Sequence, residues 1–236
     1  MDDAGSGLVA LVTGASRGLG LALCRALADR GWRLVIDARA AGPLEAARAE
    51  LAGRTGVVAV AGDVADEGHR RELVAAAGRL GRLDLLVNNA SVLGPSPQPE
   101  LDRYPLADLE EVYRVNVLAP LALAQAALPL LAASPVRGRV INVTSDAAVE
   151  GYPGWGGYGS SKAALEGLTR TLAAERPGLR VYAADPGDMR TQMQQEAFPG
   201  EDISDRPPPE ESVPGLLRLI EGDLPSGRYL AREIAV

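Results

Sequence analysis

Leu8–Val12 (LVALV) is a run of five apolar residues that passes without a break into Thr13-Gly14-Ala15-Ser16-Arg17-Gly18-Leu19-Gly20. A short continuous apolar run reads as a strand buried on both faces, the kind found in parallel sheets. A helical pattern follows from about Leu19 to Arg30 and stops at Gly31. Strand, glycine-rich turn and helix in that order form the context a phosphate-binding loop needs. The glycines let backbone N–H groups approach an anion, and the helix N-terminus adds a favourable dipole. Read as packing alone, the same glycines only close a strand–helix corner.

The alternation continues along the chain. Further strands are predicted at Arg33–Ala38, Val57–Ala61, Leu83–Val87, Arg139–Val143, Leu179–Ala184 and Arg228–Leu230, with helical patterns between most of them. That order predicts an α/β fold: a doubly wound, mostly parallel seven-stranded sheet of the Rossmann-like type, with helices on both faces. The 236 residues suit one such domain, and no repeat or linker divides them. Met1–Gly7 reads as a loose tail, acidic and small, without the pattern of a signal peptide. Gln192–Ser212 is polar, contains Pro207-Pro208-Pro209, and reads as a mobile lid.

Composition removes several function classes. The formal net charge is −7 with no long basic run, which argues against nucleic acid and anionic membrane surfaces as partners. No apolar run reaches transmembrane length without a charge or a proline. Cys24 is the only cysteine, so no intramolecular disulfide forms and a reducing, cytoplasmic setting is expected. His69 is the only histidine, which excludes clustered-histidine metal sites and disfavours Ser-His-Asp catalysis; in EGHRRE it reads as a solvated helix residue. No metal site is expected.

Chemistry concentrates in Ser145–Lys162, SDAAVEGYPGWGGYGSSK. Tyr158 and Lys162 are four apart and share a helix face. A nearby ammonium favours the charged form of a phenol, so Tyr158 is expected to titrate below its free value of about 10 and to exchange protons near neutral pH. Ser145 ends a predicted strand, placing its hydroxyl beside that helix start. Asn116 lies inside a long helical pattern, a poor position for Asn, with Pro120 four residues on. The pair marks a local kink, or a helix opened so that Asn116 holds a water. The predicted second strand ends at Ala38, followed by Arg39. If Asp37 points at the adenosine ribose, NAD is favoured; Arg39 together with Arg17 suits a 2′-phosphate.

Together these motifs resemble the short-chain dehydrogenase/reductase family, single-domain type, over about Leu8 to Leu230. TGASRGLG looks like its cofactor loop, and Asp63 matches its adenine-side aspartate. NNAS at Asn88–Ser91 is similar to NNAG, and PGDMRT at Pro186–Thr191 is similar to the nicotinamide-side motif. Asn116, Ser145, Tyr158 and Lys162 fall in the order of its catalytic tetrad.

The resemblance implies that Tyr158 is the general acid/base, that Lys162 lowers its pKa and bonds the nicotinamide ribose, and that Ser145 holds the substrate oxygen. Asn116 then positions a water that relays protons toward Lys162. It implies an NADPH-dependent carbonyl reductase or alcohol dehydrogenase that takes NAD(H) second, assembled as a homodimer or homotetramer. The implied cofactor contacts are Thr13, Gly14, Ser16, Arg17, Gly18, Leu19, Gly20, Arg39, Asp63, Val64, Asn89, Ala90, Ser91, Tyr158, Lys162, Pro186, Gly187, Met189 and Thr191. Asp146, Val149, Trp155 and Met193 are expected to face the small-molecule carbonyl or alcohol substrate.

Two residues depart from the family pattern. Ser91 stands where it has glycine, and Asp146 stands where a small or apolar residue is usual. Facing the pocket, Asp146 would bind a cationic substrate group or raise the pKa of Tyr158; facing away, it would cap a turn. Non-redox chemistry in the same site (epimerisation or dehydration) and a nicotinamide-sensing regulator are the other classes the motifs allow.

Overall fold

The structure is a computed structural model in which residues 7–234 are described; the expected N-terminal tail lies, Gly7 apart, outside them. Seven strands, β1 (Val9–Val12), β2 (Arg33–Ala38), β3 (Val57–Ala61), β4 (Leu85–Asn88), β5 (Arg139–Val143), β6 (Arg180–Asp185) and β7 (Gly227–Leu230), form one sheet. Their order is β3-β2-β1-β4-β5-β6-β7. Every strand pair in it is parallel. The helices between them are α1 (Gly18–Ala28), α2 (Ala41–Leu51), α3 (Glu67–Arg79), α4 (Leu106–Tyr113), α5 (Ala119–Ala132), α6 (Gly156–Glu175), α7 (Gln192–Ala197) and α8 (Val213–Glu221). This is the doubly wound, Rossmann-like α/β fold.

The apolar strand runs are explained by which face each residue enters. Ala10 and Val12 of β1, with Leu34 and Ile36 of β2, pack with Leu23 and Leu27 of α1, Leu44 of α2 and Leu216 of α8. Their neighbours Val9, Leu11 and Val35 enter the opposite layer, with Leu73 of α3 and Leu123 and Ala127 of α5. Both faces of each central strand are covered, so no polar alternation survives in the sequence. Cys24 is fully buried in the first layer, and that burial pushes its thiol pKa up.

Helices α4 and α5 are joined by a π-turn over Arg114–Leu118, in which the Ala119 N–H bonds back to the Arg114 carbonyl. Pro120 has no N–H to give the carbonyl of Asn116, so the ordinary ladder lapses there. The Asn–Pro pair had marked this opening. By length and composition alone Leu106–Ala132 could cross a membrane, with mean hydropathy 1.8, but half of that window is buried inside the protein.

At the N-terminal ends of the central strands, remote from the glycine turn, Asp84 is fully buried. Its carboxylate accepts from the Val9 N–H at 2.9 Å, from both arms of Arg82 at 2.8 Å and from the Ser134 hydroxyl at 2.6 Å. Asp84→Ala strands a buried N–H and a hydroxyl; we expect a loss of about 3 kcal/mol in urea unfolding, with cofactor binding unchanged in the folded fraction.

Candidate active site

The C-terminal ends of the strands open on a cleft of about 870 Å³. The turn after β1 contributes Gly14, Ser16, Arg17, Gly18 and Leu19 to its wall. Arg39 follows β2, Asp63 and Val64 follow β3, and Asn89, Ala90 and Ser91 follow β4. Ser145 and Asp146 follow β5, while Pro186, Gly187, Met189 and Thr191 follow β6. Tyr158 and Lys162 reach in from α6, Trp155 from its start, and Met193 from α7.

Thr13 and Gly20 act from behind this wall. The Thr13 hydroxyl accepts from the Asn89 and Ala90 N–H groups at 2.9 and 3.0 Å, tying the first turn to the fourth. A Cβ on Gly20 would lie 2.5 Å from the Gly14 carbonyl, so only glycine lets α1 approach β1 this closely. Gly14 and Gly18 have φ of +64° and +54°, in the left-handed region. Helix α1 has no side-chain cap and no acidic residue in its first turn, so its N-terminal N–H groups face the cleft without an anionic partner. This turn fits a phosphate.

Asp37 is held inside the protein beneath the first turn. It is fully buried, and its carboxylate accepts from the Gly14 N–H at 2.8 Å and lies 3.0 Å from His69 Nε2. Burial raises its pKa, with His69 and the Gly14 bond opposing. His69 is correspondingly only 7% exposed, not the solvated residue its charged neighbours suggested. A Cβ on Gly62 would collide with its ring, so Gly62 makes room for it. Arg39 is exposed on the cleft wall, and among the described residues no carboxylate pairs with it. Arg17 donates to the Gln192 side chain of α7.

The tetrad residues converge, with corrections. Tyr158 is 8% exposed and Lys162 2%. The Lys162 ammonium donates to the Val143 carbonyl at 2.8 Å and sits 5.4 Å from the centre of the Tyr158 ring, not on its oxygen. The expected lowering of the Tyr158 pKa is therefore absent. Burial, then the Asp185 and Asp146 carboxylates, push the phenol above its ordinary value; the neighbouring Ser145 and Ser91 hydroxyls only partly oppose them. Lys162 is lowered to about 8 by burial, with Asp185 opposing.

Asn116, 1% exposed, has both side-chain atoms saturated. Its oxygen accepts from the Val92 N–H at 2.9 Å and the Ser91 hydroxyl at 3.1 Å. Its nitrogen donates to the Val92 carbonyl at 2.9 Å and the Ser161 hydroxyl at 3.0 Å. No side-chain bond is left for a water; Asn116 instead pins the segment after β4 to α6.

Asp146 combines both readings of it. It lines the cleft, yet it accepts from Ser145 Oγ at 2.8 Å, the Tyr152 hydroxyl at 3.0 Å and the Ala147 N–H at 2.8 Å. Val149 is 59% exposed and lies outside the cleft wall, because the turn after Asp146 carries it to the surface. Trp155 packs edge-on against Tyr158 at 5.8 Å between ring centres and meets Phe198 just beyond α7. The polar segment read as a lid contains local structure: Thr191 caps α7, and Pro209–Ser212 forms a 3₁₀ turn.

Sequence reasoning missed the charged floor of the site. Asp185 ends β6, 3% exposed, held by Arg228 of β7 at 2.8 Å and by the Gly187 N–H at 2.9 Å. Arg228 also bonds Glu166 of α6 at 2.9 Å, and Glu166 accepts from Thr144 at 2.8 Å. An Asp before Pro-Gly reads as a turn residue, and no local pattern links it to an arginine 43 positions away.

Lys162 generates a pH prediction. Its folded value of about 8 lies below the unfolded value of about 10.4, so between these pH values the unfolded chain holds more protons. The burial penalty is full below pH 8 and fades as pH rises toward 10. Lys162→Met should therefore be more stable than wild type at pH 7, by roughly 2–3 kcal/mol, with the gap closing by about pH 10. Denaturant unfolding at both pH values checks it.

The sequence profile described as short chain dehydrogenase matches residues 8–202. A 3-oxoacyl-[acyl-carrier-protein] reductase of Synechocystis sp. is 35% identical over 233 residues, covering 94% of this chain and 92% of that protein. Benzil reductase ((S)-benzoin forming) of Saccharomyces cerevisiae is 34% identical, covering 80% and 74%. Among solved structures, a short chain dehydrogenase from Pseudomonas syringae superposes with a TM-score of 0.90 at 34% identity over 96% and 95% of the two chains. One from Shigella flexneri, complexed with NADP, gives 0.88 at 28% identity over 98% and 100%. The chain belongs to the short-chain dehydrogenase family, whose members are nicotinamide-dependent oxidoreductases.

Proposed function

We propose that this protein is an NADPH-dependent carbonyl reductase with Tyr158 as its proton donor. The observation that carries the reading is the buried Tyr158 phenol, raised in pKa, beside Ser145 at the mouth of a cleft that begins in an uncapped helix N-terminus. A phenol held protonated through neutral pH is the form that reduction of a carbonyl consumes.

A bound nicotinamide coenzyme supplies the hydride. Residues that would hold it are Gly14, Ser16, Gly18 and Leu19 at the phosphates, Asp63 and Val64 at the adenine, and Asn89, Ala90, Ser91, Pro186, Gly187, Met189 and Thr191 farther along. Thr13 and Gly20 shape the turn from behind. Arg39, exposed and without a carboxylate partner among the described residues, and Arg17 favour a 2′-phosphate, while Asp37 is withdrawn beneath the Gly14 N–H. The NADP in the Shigella flexneri relative adds support. Lys162 would reach the ribose from the Val143 carbonyl.

At the substrate end, Ser145 would steady the carbonyl oxygen while Tyr158 passes its proton to it. Asp146, Trp155 and Met193 border that end, and α7 with the segment to Ser212 would serve as its lid. The reductases among the relatives support a small carbonyl or alcohol substrate. Leu106 and Leu118, 72% and 58% exposed on the α4–α5 pair, offer apolar surface for a homodimer or homotetramer. The single buried Cys24 fits a cytoplasmic setting.

The test is a fluorescence titration with NADPH and NADH followed by a panel of ketones and aldehydes at neutral pH. NADPH should bind tightly and be oxidised on some carbonyl; tight binding without oxidation across the panel would turn the reading toward non-redox chemistry or sensing. Tyr158→Phe should cut turnover by about a thousandfold or more while NADPH still binds, and near-normal rates would remove Tyr158 from the role. Arg39→Ala should weaken NADPH about tenfold or more and NADH little; equal losses would undo the 2′-phosphate assignment.

A further inference from the structure

Asp37 of β2 holds the turn after β1 at two points. Its Oδ1 accepts from the Gly14 N–H at 2.8 Å, and its main-chain carbonyl accepts from the Ala15 N–H at 2.8 Å. Its other carboxylate oxygen, Oδ2, lies 3.0 Å from Nε2 of His69 on α3. The His69 ring rests on Gly62, where a Cβ would lie 2.3 Å from Nδ1. Gly14 and Gly62 both line the cleft. The only histidine in the chain therefore stands with a buried carboxylate directly behind the turn that fits a phosphate.

An ionised carboxylate only accepts hydrogen bonds, so beside it Nε2 carries a proton and a second ring proton would go to Nδ1. With the ring neutral, the pair has a net negative charge. One more proton cancels that charge, wherever on the pair it settles. A bound dinucleotide brings its pyrophosphate, two further negative charges, to the same turn. Like charges away from bulk water oppose each other. The phosphates and the extra proton thus favour each other's binding. An apolar side chain over Gly62 would fill the space without this coupling.

The other charged groups nearby are engaged elsewhere. Asp63 after β3 adds a second negative charge near Asp37, and its own carboxylate accepts from the Ala65 N–H at 2.8 Å. On α3, Asp66 accepts from the His69 main-chain N–H at 2.8 Å, and Arg70 donates to the Val64 carbonyl at 2.7 Å. Arg17 of the turn donates to Gln192, and Arg39 after β2 stands on the cleft wall. Among the described residues none of these hydrogen-bonds to the Asp37 carboxylate or the His69 ring.

We propose that Asp37 and His69 form a proton-linked positioning pair for the cofactor turn: the pair takes a proton from solvent when the dinucleotide phosphates bind, and the protonated pair holds them more tightly. Only an N–H or O–H bond to that proton forms. The inference rests on the glycine turn as the phosphate site and not on the role of Tyr158.

The test uses protein free of any affinity tag and carrying carbon-13 in its histidine, so that the one imidazole resonance needs no assignment. It is followed from pH 5 to 8 with and without saturating NAD, which lacks the 2′-phosphate that titrates in the same range. NAD should raise the midpoint by about half a unit or more, equivalent to about threefold tighter binding to the protonated pair. Asp37→Asn keeps an acceptor for the Gly14 N–H without the charge, and should lower the midpoint by about one unit or more.

The second readout is the Kd of NADH at pH 6 and pH 7.5, both below the value of about 8 at Lys162. Wild type should bind about threefold more tightly at pH 6, and His69→Gln should bind equally at the two. A ring that only filled space would, when replaced, weaken binding alike at both. A resonance that does not titrate in this range, a midpoint that NAD leaves unmoved, or a His69→Gln protein that keeps the full pH dependence overturns the proposal. A chain that binds no nicotinamide coenzyme at either pH overturns the phosphate-site reading instead.

Discussion

A lysine and a tyrosine are buried together at the end of the sheet, and much of the surrounding structure answers the cost of placing them there. A buried ammonium loses its hydration, and one hydrogen bond to the Val143 carbonyl replaces little of it. Asp185 supplies the opposing charge, and being buried itself it needs Arg228 and the Gly187 N–H. Arg228 in turn needs Glu166, which lies one helical turn beyond Lys162 on α6. The chain of charges crosses β6, β7 and α6, so the short last strand of the sheet is part of the site's support. A phenol amid this arrangement stays protonated, because burial and two carboxylates all disfavour its anion.

The phenol holds its proton firmly. Ser145 and Ser91, which line the same cleft as the phenol, differ in what they hold, one a carboxylate and one a neutral amide oxygen. At the other end of the cleft the same logic runs with opposite sign. An uncapped helix and an exposed arginine contribute positive potential, while the nearby Asp37 carboxylate is drawn under the glycine turn by the Gly14 N–H and His69. Buried Asp37 thus shapes the turn.

The parts legible in the sequence were local. LVALV followed by glycines, the alternation of apolar runs with helical patterns, and Tyr158 four residues before Lys162 each carry a period or spacing that backbone geometry imposes. Asn116 followed by Pro120 marked the π-turn for the same reason. What the sequence hid depends on contacts between distant segments. His69 sits in a charged stretch, yet its ring enters the core because Gly62 leaves it space. The pKa of Tyr158 could not be read from its distance to Lys162 along the chain, since the ammonium points at the strand and not at the phenol oxygen. Val149 follows Asp146 by three residues, but the intervening turn carries it out to solvent.

The most direct test of this account follows one atom. Purified protein is incubated with NADPH carrying deuterium at the transferable position of the nicotinamide and with a carbonyl compound that it consumes, and the product is examined by mass spectrometry. The account predicts one deuterium on the former carbonyl carbon of the alcohol, with an equal amount of NADPH oxidised. Product that carries no deuterium, or product formed while NADPH stays unconsumed, would contradict it.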